Sequence, residues 1–396
     1  MAELAGDAPA ARPPALWMLG LASALSPFGM IVVVPVLGAV SIYYAVTAGE
    51  AQWLIATYLF GLGVGQPISG ALADRIGRRP VILGGFVLFT VASITAAITS
   101  SFFALIAARF FQAVGVSVGT VVARAIVRDT HDALGSARAM GLIGATMGLP
   151  PVIGPPIGGL LSDTWGPPAV FAFSAALGLA TLVALWARLP ETRAWAIAGS
   201  GIAWTRAYRE LLGARVFIGY TLLYAFTQGV FFAFLAVGAP LFAARFDIGS
   251  GVFGLLWGAM GLVYVSGAAL SGRATGSLGN ARTLRLATGT TALGGLLFAG
   301  FVVAGVVTPA TILLPLAAMM GAAGIQTSLA LAGAVNHRPD MAGTAAGLSS
   351  ALALVICGAL TIVSGVLYDG DFLPVALLVG AAALMTRVSV WLCREP

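Results

Sequence analysis

The chain has 396 residues, and 59% are apolar before its 52 glycines are counted. A soluble domain reaches only about 45–50% with glycine included. The 20 basic and 14 acidic residues are too few to cover a large water-exposed domain. This composition excludes a soluble enzyme, a secreted disulfide scaffold and a disordered chain. Apolar runs of about 20 residues favour membrane-spanning helices over the strands of a transmembrane barrel.

The sequence predicts an all-α membrane protein with twelve transmembrane helices, numbered here as spans one to twelve. Short segments rich in glycine, proline and aspartate separate the spans, as expected for turns. The predicted spans are 15–37, 50–73, 80–99, 102–124, 139–161, 167–188, 214–241, 251–271, 284–304, 308–334, 342–367 and 373–393.

The basic residues, all of them arginine, indicate the orientation of these spans. With both termini in the cytoplasm, eighteen arginines lie on or beside the cytoplasmic side, and only Arg245 lies on the opposite side. This bias follows the positive-inside rule. Because the arginines are scattered in ones and twos, we expect no nucleic-acid partner. Cys357 and Cys393 have no ligand-like spacing, so we expect neither a disulfide nor a metal site.

The remaining arginine, Arg109, lies inside span four, and no acidic residue lies clearly within a span. A buried guanidinium is costly unless it faces the bundle interior and has partners, so its default interpretation is functional. Gln112, one helical turn later, lies on the same face. The alternative is that Arg109 extends to the outer headgroups.

An internal repeat divides the spans into two sets of six. Gly70 and Gly77 match Gly272 and Gly279 at an offset of 202 residues. We therefore expect two pseudo-symmetric six-helix bundles at 1–190 and 214–396. The cytoplasmic linker 191–213 is either an interfacial helix or an ordered loop.

Five segments in chain order carry a resemblance to a known family. They are Gly70 to Arg79, Arg109-x-x-Gln112-x-x-Gly115, Gly154-Pro155-x-x-Gly158-Gly159, Leu189-Pro190-Glu191-Thr192 and Ala342 to Ala346. Together they resemble the major facilitator superfamily. Within it, the chain is similar to the twelve-span drug:proton antiporters of the bicyclomycin and chloramphenicol resistance (Bcr/CflA) type.

The resemblance implies a conformational latch at the cytoplasmic ends of the spans. In the family, the aspartate that matches Asp74 engages the inner end of span eleven and a basic residue of span four when the cytoplasmic side is shut. The alternative is that the arginines only enforce topology. The predicted latch residues are Gly70, Asp74, Arg75, Gly77, Arg78, Arg79, Arg124 and Arg128.

The resemblance also implies roles for spans four and five. Arg109, with Gln112 and Gly115, would influence proton exchange or substrate binding near span one. The antiporter motif, Gly154, Pro155, Gly158 and Gly159, would indicate export. Its glycines and prolines predict a kinked, tightly packed span five, and the alternative is a packing kink with no bearing on direction.

Polar and aromatic side chains that recur within the spans form a candidate substrate cavity. They are Met30, Tyr58, Tyr224, Gln228, Phe231, Trp257 and Gln326; the alternative for the aromatic residues is packing or contact with lipid. Many relatives that expel cationic drugs keep a carboxylate in span one, but the stretch from Ser26 to Pro35 has none. We therefore expect neutral, zwitterionic or anionic solutes.

These observations favour a secondary efflux transporter of the bacterial inner membrane, and not an enzyme. It would export small amphipathic drugs or metabolites by alternating access, with proton antiport. We expect a monomer without cofactor. Two alternatives stay open: a carrier dedicated to one metabolite, without proton coupling, and a non-transporting assembly factor or sensor with the same fold.

Overall fold

The computed structural model describes residues 14–131, 133–192, 204–338 and 341–393. These residues are helical almost throughout, which confirms the all-α prediction. Ten of the predicted spans are each a single helix: Trp53–Ile76, Arg78–Ile98, Phe102–Thr130, Pro167–Arg188, Arg215–Phe246, Ser250–Leu278, Asn280–Val303, Pro309–Asn336, Ala342–Val366 and Leu373–Leu392.

Spans one and five are interrupted where proline removes backbone donors. Span one consists of Leu16–Ile31, a short 3-10 helix at Val34–Val36 and Leu37–Tyr43. Span five consists of Ala133–Met147 and Pro150–Trp165, and the second helix begins with two consecutive prolines. The kink predicted for span five is therefore confirmed.

Ten of the spans within the described residues are long and apolar enough to cross a membrane, when span one is counted as continuous from Leu16 to Tyr43. Spans two and five do not meet this criterion of length and hydropathy. Span two is a 24-residue helix whose sequence includes Gln66 and Pro67, and span five is divided into helices of 15 and 16 residues. Many large apolar side chains point away from the protein, such as Phe103 at 81% and Leu314 at 70% exposure, as expected for a surface in contact with lipid.

The two bundles of six spans repeat the same neighbours. In the first bundle, span one packs on spans four, five and six, span four packs on spans two and three, and span three packs on span six. Each of these pairs recurs in the second bundle when six is added to both numbers. The predicted pseudo-symmetry is thus visible in the packing.

The glycines at the predicted repeat adopt the same backbone conformation. Gly77 joins spans two and three with φ 109° and ψ 160°, and Gly279 joins spans eight and nine with φ 75° and ψ 158°. A positive φ is strained for residues with a Cβ, so glycine is favoured at both turns. The offset of 202 residues therefore relates two equivalent turns.

The two bundles meet mainly through span two on span eleven and span five on span eight. These contacts lie in one half of the molecule, at the end that carries Arg245 and few other arginines, which we call the arginine-poor end. There, a Cβ at Gly49 would lie 2.6 Å from the Gly365 carbonyl oxygen, and the Asp163 carboxylate accepts a 3.0 Å hydrogen bond from the Gly251 N–H.

Towards the opposite, arginine-rich end, the helix Ala133–Met147 of span five packs mainly on spans one and four of its own bundle, whereas the packing of span five on span eight is made mainly by Pro150–Trp165. Gly272, Gly276 and Gly347 lie near this end, and a Cβ added to any of them would have no heavy atom within 4 Å. Gly70 of span two is close only to Val121 of its own bundle. The structure is therefore closed at the arginine-poor end and open at the arginine-rich end.

The linker contains a helix, Trp204–Gly213. Among its described side chains, Leu211 and Tyr208 belong to an apolar cluster with Phe217 and Met341 of the second bundle. Glu210 and Arg338 form an ion pair at 3.2 Å beside this cluster. The linker helix is thus packed on the second bundle, and its contact with the membrane surface stays a prediction.

Candidate functional site

Arg109 is the largest fully buried polar side chain, and it joins three spans of the first bundle. Its Nη1 donates to the Gly29 carbonyl oxygen of span one at 2.9 Å and to Gln112 Oε1 at 2.7 Å. Its Nε donates to the Leu54 carbonyl oxygen of span two at 3.2 Å. The guanidinium lies 4.1 Å from the centre of the Tyr58 ring. Arg109 therefore points inward, not to the headgroups.

The interruption of span one explains how a cation can be bound at this position. The first helix ends at Ile31, so Gly29 is among the last four residues, whose carbonyls lack regular helical partners. Arg109 uses one such carbonyl as an acceptor. Close packing favours glycine at position 29, because a Cβ there would lie 2.6 Å from the Tyr58 hydroxyl. That hydroxyl donates to the Ser26 carbonyl oxygen at 2.9 Å.

Gln112 extends the Arg109 network to span three. Its Nε2 donates to Ser93 Oγ at 2.6 Å. The second bundle has an equivalent amide and hydroxyl pair, in which Gln326 Nε2 donates to Thr291 Oγ1 at 2.6 Å. There, however, Gln326 Oε1 accepts from the Thr227 hydroxyl at 2.8 Å, so the corresponding network is neutral. Arg109 makes the two networks electrostatically different.

No carboxylate lies next to Arg109 among the described residues, and its Nη2 is buried without a hydrogen-bond partner. The nearby acid at the mouth of span two, Glu50, is engaged elsewhere. The Thr47 N–H and hydroxyl both donate to Glu50 Oε2, at 2.8 and 2.9 Å, and these bonds lower the pKa of Glu50. Glu50 is therefore ionised at neutral pH and is unsuited to carry a proton in that range.

Two of the predicted latch residues, Asp74 and Arg78, form an ion-pair chain with Asp129 within the first bundle. Arg78 Nη1 lies 2.5 Å from Asp74 Oδ1, and its Nε lies 3.0 Å from Asp129 Oδ2 at the arginine-rich end of span four. Arg124 and Arg128 do not pair with Asp74 in this conformation. The predicted engagement of Asp74 with span eleven stays a prediction for a conformation closed at the arginine-rich end.

Glu191 stabilises the same turn, although the latch prediction did not include it. Its carboxylate accepts from the backbone N–H groups of Arg78 and Arg79 at 2.9 and 3.1 Å. These are the first N–H groups of span three, where a negative charge interacts favourably with the helix dipole. A Cβ at Gly77 would lie 2.6 Å from Glu191 Oε2. Two of the segments that carry the family resemblance are thus in direct contact.

The antiporter motif packs span five against span one. A Cβ at Gly158 would overlap the Val32 carbonyl oxygen, and one at Gly154 would lie 3.4 Å from the Ile31 side chain. Pro155 and Gly159 are also buried. Gly115 allows a similar approach of span four to span three, since a Cβ there would lie 2.5 Å from the Phe89 nitrogen.

The opposite face of span five packs on a row of glycines in span eight. Cβ atoms at Gly254, Gly258 and Gly261 would lie 2.5–2.8 Å from carbonyl oxygens of span five. Sequence analysis missed this row, although the spacing of Gly254 and Gly258 is the small-residue pattern typical of close helix packing. The row brings the two bundles into backbone contact.

The predicted cavity residues separate into two groups. Tyr224 and Gln228 of span seven are only partly buried, and Gln228 Oε1 accepts from the Thr327 hydroxyl at 3.2 Å. The others are buried within the bundles in this conformation: Met30, Tyr58, Phe231, Trp257 and Gln326. Trp257, for example, stacks between Phe234 and Phe253 at 5.9 and 6.1 Å. The cavity role of all seven stays a prediction.

A metal centre has no support in the part of the chain that the structure describes, where no group of three or more His, Cys, Asp or Glu side chains could hold an ion. Cys357 is buried and its thiol donates to the Ala225 carbonyl oxygen at 3.4 Å.

Two bacterial relatives cover most of the chain. It is 32% identical over 293 residues to a chloramphenicol resistance protein of Pseudomonas aeruginosa, which covers 72% of this chain and 69% of the relative. It is 31% identical over 359 residues to multidrug resistance protein D of Escherichia coli K12, covering 89% and 88% of the two chains. These relatives are consistent with the predicted Bcr/CflA resemblance.

Solved structures share the fold at low sequence identity. A D-xylose-proton symporter superposes with a TM-score of 0.77 at 15% identity, covering 94% of this chain and 96% of the symporter. A bacterial homologue of the lysosomal transporter Spinster, inward-facing and occupied, gives 0.75 at 15% identity, with coverages of 96% and 95%. The family model for the Major Facilitator Superfamily matches residues 19–362. The chain therefore belongs to the Major Facilitator Superfamily and is a multi-pass membrane transporter, not an enzyme.

Proposed function

We propose that this transporter exports small amphipathic drugs or metabolites from the cytoplasm by alternating access. The proposal rests on where the two bundles are in contact. Their contacts lie at the arginine-poor end, and the arginine-rich end is open. Two bundles joined in this way can rock about their contact. Residues 1–190 would move against 214–396, so that a central site faces each side of the membrane in turn.

The arginine distribution supports a cytoplasmic location for the open end, with both termini also cytoplasmic. In this orientation, the structure is an inward-facing state that can receive a solute from the cytoplasm. Closure would bring the Asp74 turn towards the inner end of span eleven, which is the latch that the family resemblance implies. The resistance proteins among the relatives support drugs as one substrate class.

Proton antiport is the coupling that the family resemblance implies, and Arg109 is its candidate residue. The guanidinium fixes a positive charge between the broken end of span one and Gln112 of span four. A movement of span one would therefore alter the hydrogen-bond network that links it to spans two, three and four. Proton exchange through this network would not use a membrane-embedded acid.

The described spans carry their aspartates only near the helix ends, at Asp74, Asp129 and Asp163, and the lack of a carboxylate deeper in the spans favours a second candidate, an exchanger of one metabolite that moves no protons. A carboxylate in a low-dielectric site is the usual proton carrier because burial raises its pKa towards neutrality. Without one, an imposed pH gradient would have no effect on flux. Exchange of labelled for unlabelled solute would nevertheless proceed.

Reconstitution into liposomes distinguishes these functions. Radiolabelled chloramphenicol would be supplied outside, and uptake measured with an imposed pH gradient in either direction and with none. Antiport predicts accumulation only when the lumen is acidic, accompanied by alkalinisation reported by a pH-sensitive dye in the lumen. When the lumen is also loaded with the same solute unlabelled, an uncoupled exchanger takes up label equally under all three conditions. Failure of chloramphenicol and of a metabolite panel to move faster than in protein-free liposomes would contradict transport.

A further inference from the structure

A second interior arginine, Arg124, lies at the boundary between the two bundles. It is six residues before the end of span four at Thr130, or about 9 Å from that end at 1.5 Å per residue. Long side chains on a helix point back towards its N-terminus, which here is the arginine-poor end. The Arg124 side chain therefore extends from the open end towards the middle of the membrane.

The surroundings of Arg124 come from both bundles. Its Nη2 lies 4.0 Å from the Met147 sulfur of span five. It also interacts electrostatically with Tyr224 of span seven, in the other bundle. Tyr224 in turn is within electrostatic range of Tyr264 of span eight and Cys357 of span eleven. Arg124 of span four thus lies beside span five of its own bundle and close to span seven of the other bundle.

Arg124 differs from the other interior or partly buried arginines in how its charge is balanced. Arg78 pairs with two aspartates, Arg338 pairs with Glu210, and Arg109 donates to two backbone carbonyls. Among the described residues, Arg124 has no carboxylate partner and no oxygen acceptor within hydrogen-bond distance. It is partly accessible, so an anion that enters from the open end can reach its guanidinium.

We propose that Arg124 binds the carboxylate of an aromatic organic acid, with the ring placed against Tyr224 and Tyr264. Arginine presents a planar fork of donors that matches a carboxylate, and flat aromatic solutes pack well on tyrosine. The Gln228 amide and Thr327 hydroxyl, partly buried nearby, supply neutral polar groups for the rest of the molecule. This inference rests on the proposed export function and adds aromatic organic acids to its substrates.

Binding of a matched pair of probes tests this inference without requiring flux. The probes are 2-naphthoate and 2-naphthamide, which share a ring system and differ in charge. Isothermal titration of the purified full-length protein in detergent gives both dissociation constants. A hydrogen-bonded charge pair predicts that wild-type protein binds naphthoate about tenfold more tightly. In Arg124→Gln the ratio should fall to about one, with naphthamide affinity retained as evidence of an intact fold.

Arg273→Gln is the matched control because Arg273 is an exposed arginine near the same end, in span eight. It should keep the tenfold preference. The proposal is overturned if wild-type protein shows no preference for naphthoate, or if Arg124→Gln keeps it. Chloramphenicol flux in liposomes separates this failure from failure of the proposed function, because flux that persists in Arg124→Gln with an unchanged binding ratio contradicts only the role of Arg124.

Discussion

Gly254 of span eight offers a direct way to shift the balance between the two conformations. A Cβ at this position would lie 2.5 Å from the Pro155 carbonyl oxygen of span five, which is backbone and cannot rotate away. Overpacking of this kind costs about 1–3 kcal/mol. The cost applies only while the bundles are in contact at the arginine-poor end. Gly254→Ala should therefore favour opening at that end by about 5- to 150-fold in the equilibrium constant.

Gly276→Ala is the matched control on the same helix, because a Cβ there has no neighbour within 4 Å. Both substitutions raise helix propensity by about 1 kcal/mol, but this gain is equal in the two conformations. Spin labels at Ile42→Cys and Val366→Cys, positions that are 83% and 78% exposed in the two bundles, would report their separation. The native Cys357 and Cys393 would first be replaced by alanine.

Pulsed electron resonance then measures the distance distribution between the labels. Gly254→Ala should increase the long-distance population relative to the short one, and Gly276→Ala should match the parent protein. If both variants give the parent distribution, the glycine row does not hold the bundles together at this end. The account of how they separate would then be refuted.

Three further predictions concern single residues. Arg109→Met removes three hydrogen bonds of about 0.6 kcal/mol each, so it should lower the unfolding free energy measured in bicelles by about 2 kcal/mol. It should also abolish chloramphenicol flux. A stable, active variant would show that the network is dispensable. Glu191→Gln removes a charge from the start of span three and should cost about 0.3–1 kcal/mol in the same denaturation measurement, so unchanged stability would contradict its capping role. Hydrogen bonds from Thr47 lower the pKa of Glu50. The contribution of the ionised Glu50 carboxylate to stability therefore persists at neutral pH, and it is lost only as the pH falls through the lowered pKa. Glu50→Gln should therefore leave the pH profile of flux unchanged between about pH 6 and 8, whereas a displaced profile would implicate Glu50 in proton transfer.

The elements that sequence predicted well depend on local patterns. The spans follow from long apolar runs, and the equivalence of Gly77 and Gly279 follows from their common offset. The interior position of Arg109 also follows from chemistry, since a charge within a span must face partners. The sequence also placed Gln112 on the same helix face, because residues three apart are neighbours there, and the structure adds the hydrogen bond between the two side chains.

The acceptors of Arg109 in other spans were not predictable from sequence. The Gly29 carbonyl is available only because the first helix of span one ends at Ile31, and no side chain marks it. Similarly, Glu191 meets the turn at Gly77 only after six spans have folded together. Backbone acceptors and contacts between distant segments depend on tertiary packing, which hydropathy does not encode.

The partner of Asp74 illustrates a different limit. Motif resemblance describes contacts from a conformation closed at the arginine-rich end, whereas the structure is open there and Asp74 pairs with Arg78. Under the proposed alternating access, one sequence has to encode two states, so a motif alone does not say which contacts a given state makes.

Cross-linking of the two bundles during transport tests the alternating-access account most directly. Trp53 and Val366 both line the groove between spans two and eleven at the arginine-poor end, so cysteines there can be joined by a short cleavable reagent. In liposomes containing the protein without its native cysteines, the account predicts that cross-linking stops chloramphenicol flux and that cleavage of the linker restores it. Full flux through protein that is completely cross-linked would contradict it.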